Sequence, residues 1–250
     1  MATVNAEPRQ TLKPTEDSRL RPPSSPAPQT NALWAALSES DRRRLAPACA
    51  PQRLTRGTTL YEIGDEIRYA YFPVRGMISL DAMTVGGSLV QVAVIDHNGF
   101  IGVPVLLDNG VTRYRISAPF ACDVYRMHAA TLAQEFRTNL ALQAWVLKFV
   151  NRHAAQIADT GVCHYFHTIR QRVCRWLLVC ADCARSEAFE LTQEQLAQML
   201  GVPRQSVSRV ATTLQDQALI KQRHGRVRIL NRVGLVSCAC ECYQRDWSAG

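Results

Sequence analysis

Residues 191–220 read LTQEQLAQMLGVPRQSVSRVATTLQDQALI, and this stretch decides the C-terminal fold. Thr192 stands three residues before Gln195, which is the spacing of a capping box at the start of a helix. Gly201 is expected to end that helix, because glycine adopts the left-handed conformation of a sharp turn without steric cost. Pro203 is expected in the first turn of a second helix, where its missing N–H costs nothing. The stretch therefore predicts a helix-turn-helix.

The two helices have distinct apolar and polar faces. The residues expected to face the core are Leu196, Met199, Leu200, Val207, Val210 and Leu214, with Ala197 where the helices approach closely. The second helix is expected to direct four polar residues outward: Arg204, Gln205, Ser208 and Arg209. Arginine can bond a guanine edge through two donors and glutamine can do the same at adenine, so we expect these four to read bases. Thr192 and Ser206 are suited to phosphate oxygens.

A basic hairpin is predicted directly after the second helix. Residues 219–230 alternate polar and apolar around His224-Gly225, and the expected phosphate contacts are Lys221, Arg223, Arg226 and Arg228. Residues 203–232 hold seven Lys or Arg against one acid, Asp216, within a chain of formal charge +8. The positive charge is thus local, which favours double-stranded DNA as the partner. The alternative is a helical corner of an enzyme whose charges are merely solvated.

A long helix is predicted upstream of this region. Apolar residues recur at steps of three and four, at Leu142, Trp145, Val146, Phe149, Val150, His153, Ile157 and Thr160. This stripe could pair with a second copy of the chain, or it could pack on the chain's own N-terminal domain. We favour pairing, because the stripe is longer than a surface helix needs.

The composition and the hydrophobic pattern of the N-terminal half change twice along the chain. Six of the twelve prolines lie in residues 1–30, which predicts a disordered leader. Residues 31–46 predict helices, the second capped by Ser40 or Asp41. Short β-rich runs with regular turn signals fill residues 52–127 and predict an antiparallel barrel or jelly roll. The fold class is α+β, with a sensor domain at 31–137, a dimerisation helix at 138–166 and a winged helix-turn-helix at 167–250.

Segments that would place the chain in or across a membrane are not expected. The sequence has neither an apolar run of about 20 residues nor an apolar core behind its basic N-terminal residues. Its nine cysteines, without a secretion signal, are interpreted as reduced thiols. We therefore expect a cytoplasmic location and no membrane partner.

These features together resemble the Crp/Fnr superfamily of bacterial regulators. Residues 191–220 look like that family's helix-turn-helix, and the barrel resembles its cyclic-nucleotide-binding-like domain through residues 57–65 (GTTLYEIGD), 71–78 (YFPVRGMI) and 99–102 (GFIG). The resemblance implies a homodimer on a palindromic site, with Arg204, Gln205 and Arg209 at base-reading positions. It also implies RNA polymerase as a partner.

The expected effector pocket departs from the cyclic-AMP-binding pattern of that family, which has Gly-Glu for the ribose and Arg-Ser for the phosphate. Here Gly102 is followed by Val103, and Arg113 is followed by Tyr114. A valine cannot accept the ribose O–H, and an unmet buried donor costs about 1–3 kcal/mol. We expect no productive cyclic-AMP binding and an unknown small-molecule or redox effector. The alternative is a cyclic-nucleotide-responsive regulator that keeps ligand binding through Arg113.

The cysteines and histidines allow three sensor chemistries to be weighed. Cys49 is the only cysteine before residue 122, which excludes the N-terminal iron–sulfur cluster found in the family. His97 and His128 could ligate haem but are better interpreted as turn or surface residues. The remaining set of cysteines could hold zinc, sense redox state or simply pack: Cys180, Cys183, Cys238, Cys240 and Cys242. We favour packing, with no metal and no cofactor.

Two rival functions belong to other classes. A jelly-roll dioxygenase would need two histidines and a carboxylate on adjacent strands, and the barrel holds only His97 and His128. A nucleotide-binding module whose helical tail binds protein would have no use for the basic hairpin. We therefore expect a regulator with no catalytic residues.

Overall fold

The structure, a computed structural model, describes residues 28–247, apart from the side chains of residue 29 and residues 245–247. Of the leader predicted for residues 1–30, residues 1–27 lie outside the described residues. Pro28–Thr30 forms a single 3-10 turn.

Two short helices precede the barrel, α1 at Ala32–Ala36 and α2 at Glu39–Leu45. Ser38 caps α2 by accepting from the backbone N–H of Asp41, so the predicted cap at Ser40 or Asp41 is wrong. Both residues lie inside the first turn, because the helix begins at Glu39, two residues before the earliest start that the predicted caps would give. Asn31 is fully buried and donates to the carbonyls of Pro73 and Gly99, which fastens α1 to the barrel.

Seven strands form two antiparallel sheets. They are β1 Cys49–Leu54, β2 Thr59–Tyr61, β3 Tyr69–Arg75, β4 Ile78–Met83, β5 Leu89–Ile95, β6 Arg115–Ser117 and β7 Cys122–His128. One sheet has the order β1-β7-β3 and the other β2-β6-β4-β5. A short helix, α3 Val103–Leu107, lies between β5 and β6. This arrangement confirms the predicted β-rich N-terminal domain.

The core of this domain contains a group of packed aromatic rings. Phe72 and Phe100 stack with ring centroids 6.1 Å apart, and Trp34 of α1 meets Phe72 edge-on at 5.9 Å. Residues 70–74 of β3 are all buried, because helices cover the face of the strand that an open sheet would expose to water.

The long helix packs on its own barrel along the stripe that we assigned to dimerisation. After α4 Ala129–Thr138 comes α5 Leu140–Phe166. Leu142, Val146 and Phe149 are buried in the barrel core, and Trp145 and Phe149 stack at 5.5 Å. The assignment of this stripe to a partner chain is therefore wrong. Apolar periodicity shows that a helix face is covered, but not which surface covers it.

The C-terminal region has a second core. Its elements are α6 Ile169–Ala184, β8 Ala188–Glu190, α7 Gln193–Leu200, α8 Arg204–Asp216, β9 Ile220–Arg223, β10 Arg226–Ile229, α9 Arg232–Cys238 and α10 Cys242–Trp247. Helix α6 is the centre of this core and is buried from Arg172 to Ala181. Among the described helices, none combines the length and the apolar character that crossing a bilayer requires.

Candidate nucleic-acid interface

Helices α7 and α8 form the predicted helix-turn-helix. Thr192 accepts from the backbone N–H of Gln195 at 3.2 Å, and the Gln195 side chain accepts from the backbone of Thr192 at 3.0 Å, so the capping box is present. Gly201 has φ +61° and ends α7. Leu196, Leu200 and Val207 are buried between the two helices and α6. The capping box, the glycine at the end of α7 and these core positions thus match the prediction, whereas Val210 is only partly buried.

Helix α8 begins at Arg204, one residue later than predicted, and Pro203 is its N-cap. Proline before the first turn is still consistent with its missing N–H, since that group would have no partner inside the helix. The predicted base-reading residues all lie on α8. Arg204, Gln205 and Arg209 are exposed, and Ser208 is half-buried. Arg204 lies 4.0 Å from Glu194 of α7, an exposed contact that leaves the guanidinium accessible.

The wing is a two-stranded hairpin with a tight turn. His224 and Gly225 have φ of +49° and +73°, as a type I′ turn requires at both central positions. In the register of β9 and β10, Lys221 lies opposite Arg228 and Arg223 lies opposite Arg226. Directly opposite residues share a face, so all four cations lie on one side, while Val227 is buried on the other.

The wing turn adjoins the start of α7. The backbone N–H of Leu191 donates to the carbonyl of Gly225 at 2.8 Å, and Gln193 donates to Gln222 at 3.1 Å. Thr192 therefore lies beside the wing, as a shared phosphate-binding edge requires. Its hydroxyl, however, donates to the Gln195 side chain and accepts from the Gln195 backbone. Thr192 is the least available of the predicted phosphate contacts, whereas Ser206 is half-buried at the start of α8.

One arginine of the basic segment does not belong to this surface. Arg232 pairs with Asp182 and with Glu187 (3.0 Å) and donates to the Tyr243 hydroxyl at 2.7 Å. The count of basic residues over 203–232 therefore overstates by one the number of cations on the candidate DNA-binding surface. The acids that neutralise Arg232 lie about fifty residues earlier in the chain, where a local count does not find them.

The helix-turn-helix is fastened to the barrel. Gln195 of α7 donates to the carbonyl of Pro119 at 3.0 Å, and the backbone N–H of Gly76 donates to the carbonyl of Cys183 at 3.0 Å. Gly201 lies against Val90 of β5. The barrel is therefore in direct contact with the region that carries the candidate DNA-binding surface.

The four residues predicted to form the effector pocket differ in burial. Gly102 is buried with φ +142°, and a side chain there would meet Ala70. Val103 and Tyr114 pack against the barrel core, while Arg113 is exposed. Arg115, its neighbour on β6, donates to the Thr59 hydroxyl at 3.0 Å.

The two histidines considered for haem are both engaged by neighbouring side chains. His97 lies 3.3 Å from Asp96, and His128 packs on Tyr69 with ring centroids 4.4 Å apart. These contacts agree with the turn and surface roles that the sequence favoured.

The cysteines divide into two groups that the sequence did not separate. Cys180 and Cys183 are buried in the C-terminal core, and burial raises the pKa of both thiols, so packing is confirmed for this pair. Their pairing with the tail cysteines in a zinc site is wrong. Cys240 and Cys242 instead lie beside Cys163 and His167. Cys163 and His167 were not predicted as site residues; the sequence signals for this cluster are the Cys-x3-His spacing at the end of α5 and Cys-x-Cys in the tail.

The similarities to known proteins agree with this geometry. Residues 171–238 match the model of the Crp-like helix-turn-helix domain. The chain is 20% identical over 193 residues to the cAMP-activated global transcriptional regulator CRP of Pasteurella multocida strain Pm70, in a match that covers 73% of this chain and 90% of that protein.

Solved structures share the fold. FixK2 from Bradyrhizobium japonicum superposes with a TM-score of 0.65 at 16% identity, covering 77% of this chain and 98% of that one. A CRP-family transcriptional regulator from Thermus thermophilus, TTHB099, superposes with a TM-score of 0.63 at 20% identity, covering 80% of this chain and 97% of that one.

Proposed function

We propose that this chain, a member of the Crp/Fnr superfamily of bacterial transcription regulators, binds a palindromic operator as a homodimer. One α8 helix would lie in the major groove of each half-site, and the wing would contact the flanking phosphates. The observation that carries the proposal is a pair of exposed surfaces in the C-terminal region: the polar face of α8, with Arg204, Gln205 and Arg209, and the four-cation face of the wing.

Base reading is assigned to the N-terminal half of α8. Arg204, Gln205, Ser208 and Arg209 lie within its first two turns, the part of a recognition helix that reaches base edges. Val207, Ala211 and Leu214 are buried on the opposite face, so the helix cannot rotate these polar groups inward without exposing its core contacts. Arg204 and Arg209 are the two residues able to form bidentate bonds with guanine.

Phosphate contact is assigned to the wing and to Ser206. Like charges directly opposite each other destabilise an isolated hairpin, and Lys221 faces Arg228 in this way. Such an arrangement is useful when a polyanion neutralises it. The phosphate backbone of DNA supplies the required charge density along a line.

The dimer interface is assigned to the face of α5 that the barrel leaves uncovered. Eight exposed residues recur along it at alternating steps of four and three: Leu140, Ala144, Leu147, Asn151, Ala154, Ala158, Gly161 and Tyr165. That spacing averages 3.5 residues, the repeat of a left-handed coiled coil. Leu140, Leu147 and Tyr165 are 77%, 59% and 84% exposed, respectively, which is costly unless a second copy covers them.

The effector is proposed to be a molecule other than cyclic AMP. The relative from Pasteurella multocida is named as cAMP-activated, but Val103 here packs against the barrel core and offers no acceptor. Through this effector the protein would modulate RNA polymerase at promoters in the cytoplasm, without catalysing a reaction.

Affinity for duplex DNA across a salt series tests the proposal. Each phosphate neutralised by a cation lowers the slope of log K against log salt by about 0.9. We expect a steep negative slope for the wild type and a slope less steep by about one for Arg228→Ala. Affinity that does not change with salt would contradict the assignment of this surface to DNA.

A further inference from the structure

Three cysteines and one histidine converge where the end of α5 meets the C-terminal tail. Cys163 lies in the last turn of α5, His167 follows that helix, and Cys240 and Cys242 flank the start of α10. The sulfur atoms and one ring nitrogen of these four residues all lie within 4.8 Å of one another. The two segments are about seventy residues apart in the chain, so tertiary folding alone brings them together.

The spacing of these atoms matches the edges of a tetrahedral zinc site. Zn–S bonds of about 2.3 Å place two sulfurs about 3.8 Å apart, and a sulfur and a nitrogen about 3.6 Å apart. Cys163 Sγ and Cys240 Sγ are separated by 3.6 Å, and Cys242 Sγ lies 3.7 Å from His167 Nδ1. A disulfide would need the two sulfurs at about 2.0 Å. Two of the six distances between these atoms thus have the lengths that ligands around one zinc ion require, and all six are within 4.8 Å.

The histidine is oriented as a metal ligand usually is. His167 Nε2 lies 3.1 Å from Glu241 Oε1, so the carboxylate can accept the proton of that nitrogen. This contact fixes the tautomer in which Nδ1 carries a free lone pair toward the sulfurs. Glu241 stands between Cys240 and Cys242 in the chain, so one short segment supplies two ligands and the group that orients a third.

Burial and charge also suit a closed structural site. Cys163, Cys240 and Cys242 are 1%, 4% and 0% exposed, and the His167 side chain is 11% exposed. Four protein ligands leave no open position for substrate, which distinguishes a structural from a catalytic zinc. A zinc ion with three thiolates carries one net negative charge. The buried Arg175 acts electrostatically on both Cys163 and Cys240 and would offset that charge.

We propose that Cys163, His167, Cys240 and Cys242 bind one zinc ion. The ion would join the end of the long helix to the tail that follows the winged helix, at the junction where α5 gives way to α6. It would thereby fix the direction in which the DNA-binding region leaves α5. This inference does not depend on DNA binding.

Metal analysis of the purified full-length chain, with cobalt substitution, tests the site. We expect about one zinc per chain, and a thiolate-to-cobalt charge-transfer band after exchange with Co²⁺. Cys240→Ser and Cys242→Ser should each lose the bound metal and the band. Cys238→Ala changes a thiol in the same tail outside the cluster and should retain both. Glu241→Gln should keep the ligands but weaken zinc binding roughly 10–100-fold.

A second measurement covers variants that fold poorly. Metal-stripped wild-type protein should gain thermal stability on addition of Zn²⁺ alone, and Cys242→Ser should not. Wild-type protein without stoichiometric zinc, and without a shift on adding it, would overturn the proposal. An intact mass lower by the two hydrogens of a Cys163–Cys240 disulfide, found in place of bound metal, would also overturn it and assign the cluster to redox chemistry.

Discussion

Lys221 lies directly opposite Arg228 in the hairpin that follows the helix-turn-helix, and the next strand presents Ala188 beyond Arg228. No acid thus flanks this like-charged pair along the register of the three-stranded sheet at that position. The repulsion within this pair destabilises the unbound protein. A polyanion that lies across the sheet would neutralise both charges and relieve the repulsion.

Removing one cation of that pair should weaken DNA binding without a comparable loss of folding stability. Arg228→Ala is expected to leave the free energy of unfolding within about 0.5 kcal/mol of wild type, because a repulsion is relieved as an exposed side chain is lost. Affinity should fall by a similar factor for the operator, obtained by selection from random duplexes, and for random duplex DNA. Urea denaturation and fluorescence anisotropy measure the two effects, and a loss confined to the operator would contradict a phosphate role.

The arginines of α8 should behave differently. Arg204→Ala and Arg209→Ala are each expected to weaken operator binding by ~1–3 kcal/mol while changing random-DNA binding much less. Competition anisotropy with both DNAs gives the ratio of operator affinity to random-DNA affinity directly. Arg228→Ala is the matched control. Equal losses on both DNAs for all three variants would remove the base-reading assignment.

The uncovered face of α5 should control assembly. Leu147→Glu places a charge at the centre of the proposed seam, and we expect a monomer by size exclusion with light scattering. Arg137→Glu introduces the same side chain at an exposed position of α4 and should leave the dimer intact. A Leu147→Glu protein that is still dimeric would locate the interface elsewhere.

The turn between α7 and α8 should depend on its glycine. Gly201 has φ +61°, and an added side chain would meet only Val90 at an ordinary 3.7 Å. The cost of Gly201→Ala is therefore conformational, about 1–2 kcal/mol by chemical denaturation. Gly86→Ala, at a loop glycine whose φ is ordinary and whose added side chain would meet only the Thr84 hydroxyl at 3.9 Å, should change stability by less than about 0.5 kcal/mol. Equal effects would mean that the turn relaxes.

Cyclic AMP should leave this protein unchanged. Val103 packs on the barrel core and cannot accept a ribose hydroxyl, and Arg113 lies exposed. Calorimetry should show no saturable heat, and operator affinity should be the same with and without the nucleotide. Saturable binding that Arg113→Ala abolishes would favour the alternative of a cyclic-nucleotide-responsive regulator.

Local features of the sequence predicted local structure well. Thr192, Gln195 and Gly201 each act on neighbours within a few residues, as do His224 and Gly225, so both ends of α7 and the hairpin turn were predictable. The start of α2 was not, because Ser38, Ser40 and Asp41 are all possible caps and the sequence does not decide among them. Contacts between distant segments were not. The stripe from Leu142 to Thr160 predicted the helix but not the surface that covers it. Arg232 and the cluster around Cys163 have partners that only tertiary folding brings near.

Selection of binding sites from a random duplex pool, followed by footprinting on the selected sequence, tests the central claim most directly. The proposal predicts an inverted repeat whose two half-sites are centred about one helical turn, roughly 10 base pairs, apart and are protected in the major groove. It further predicts that Arg209→Ala loses preference for the repeat. A pool that yields no repeat, or protein that binds all duplexes equally, would contradict recognition of DNA by α8.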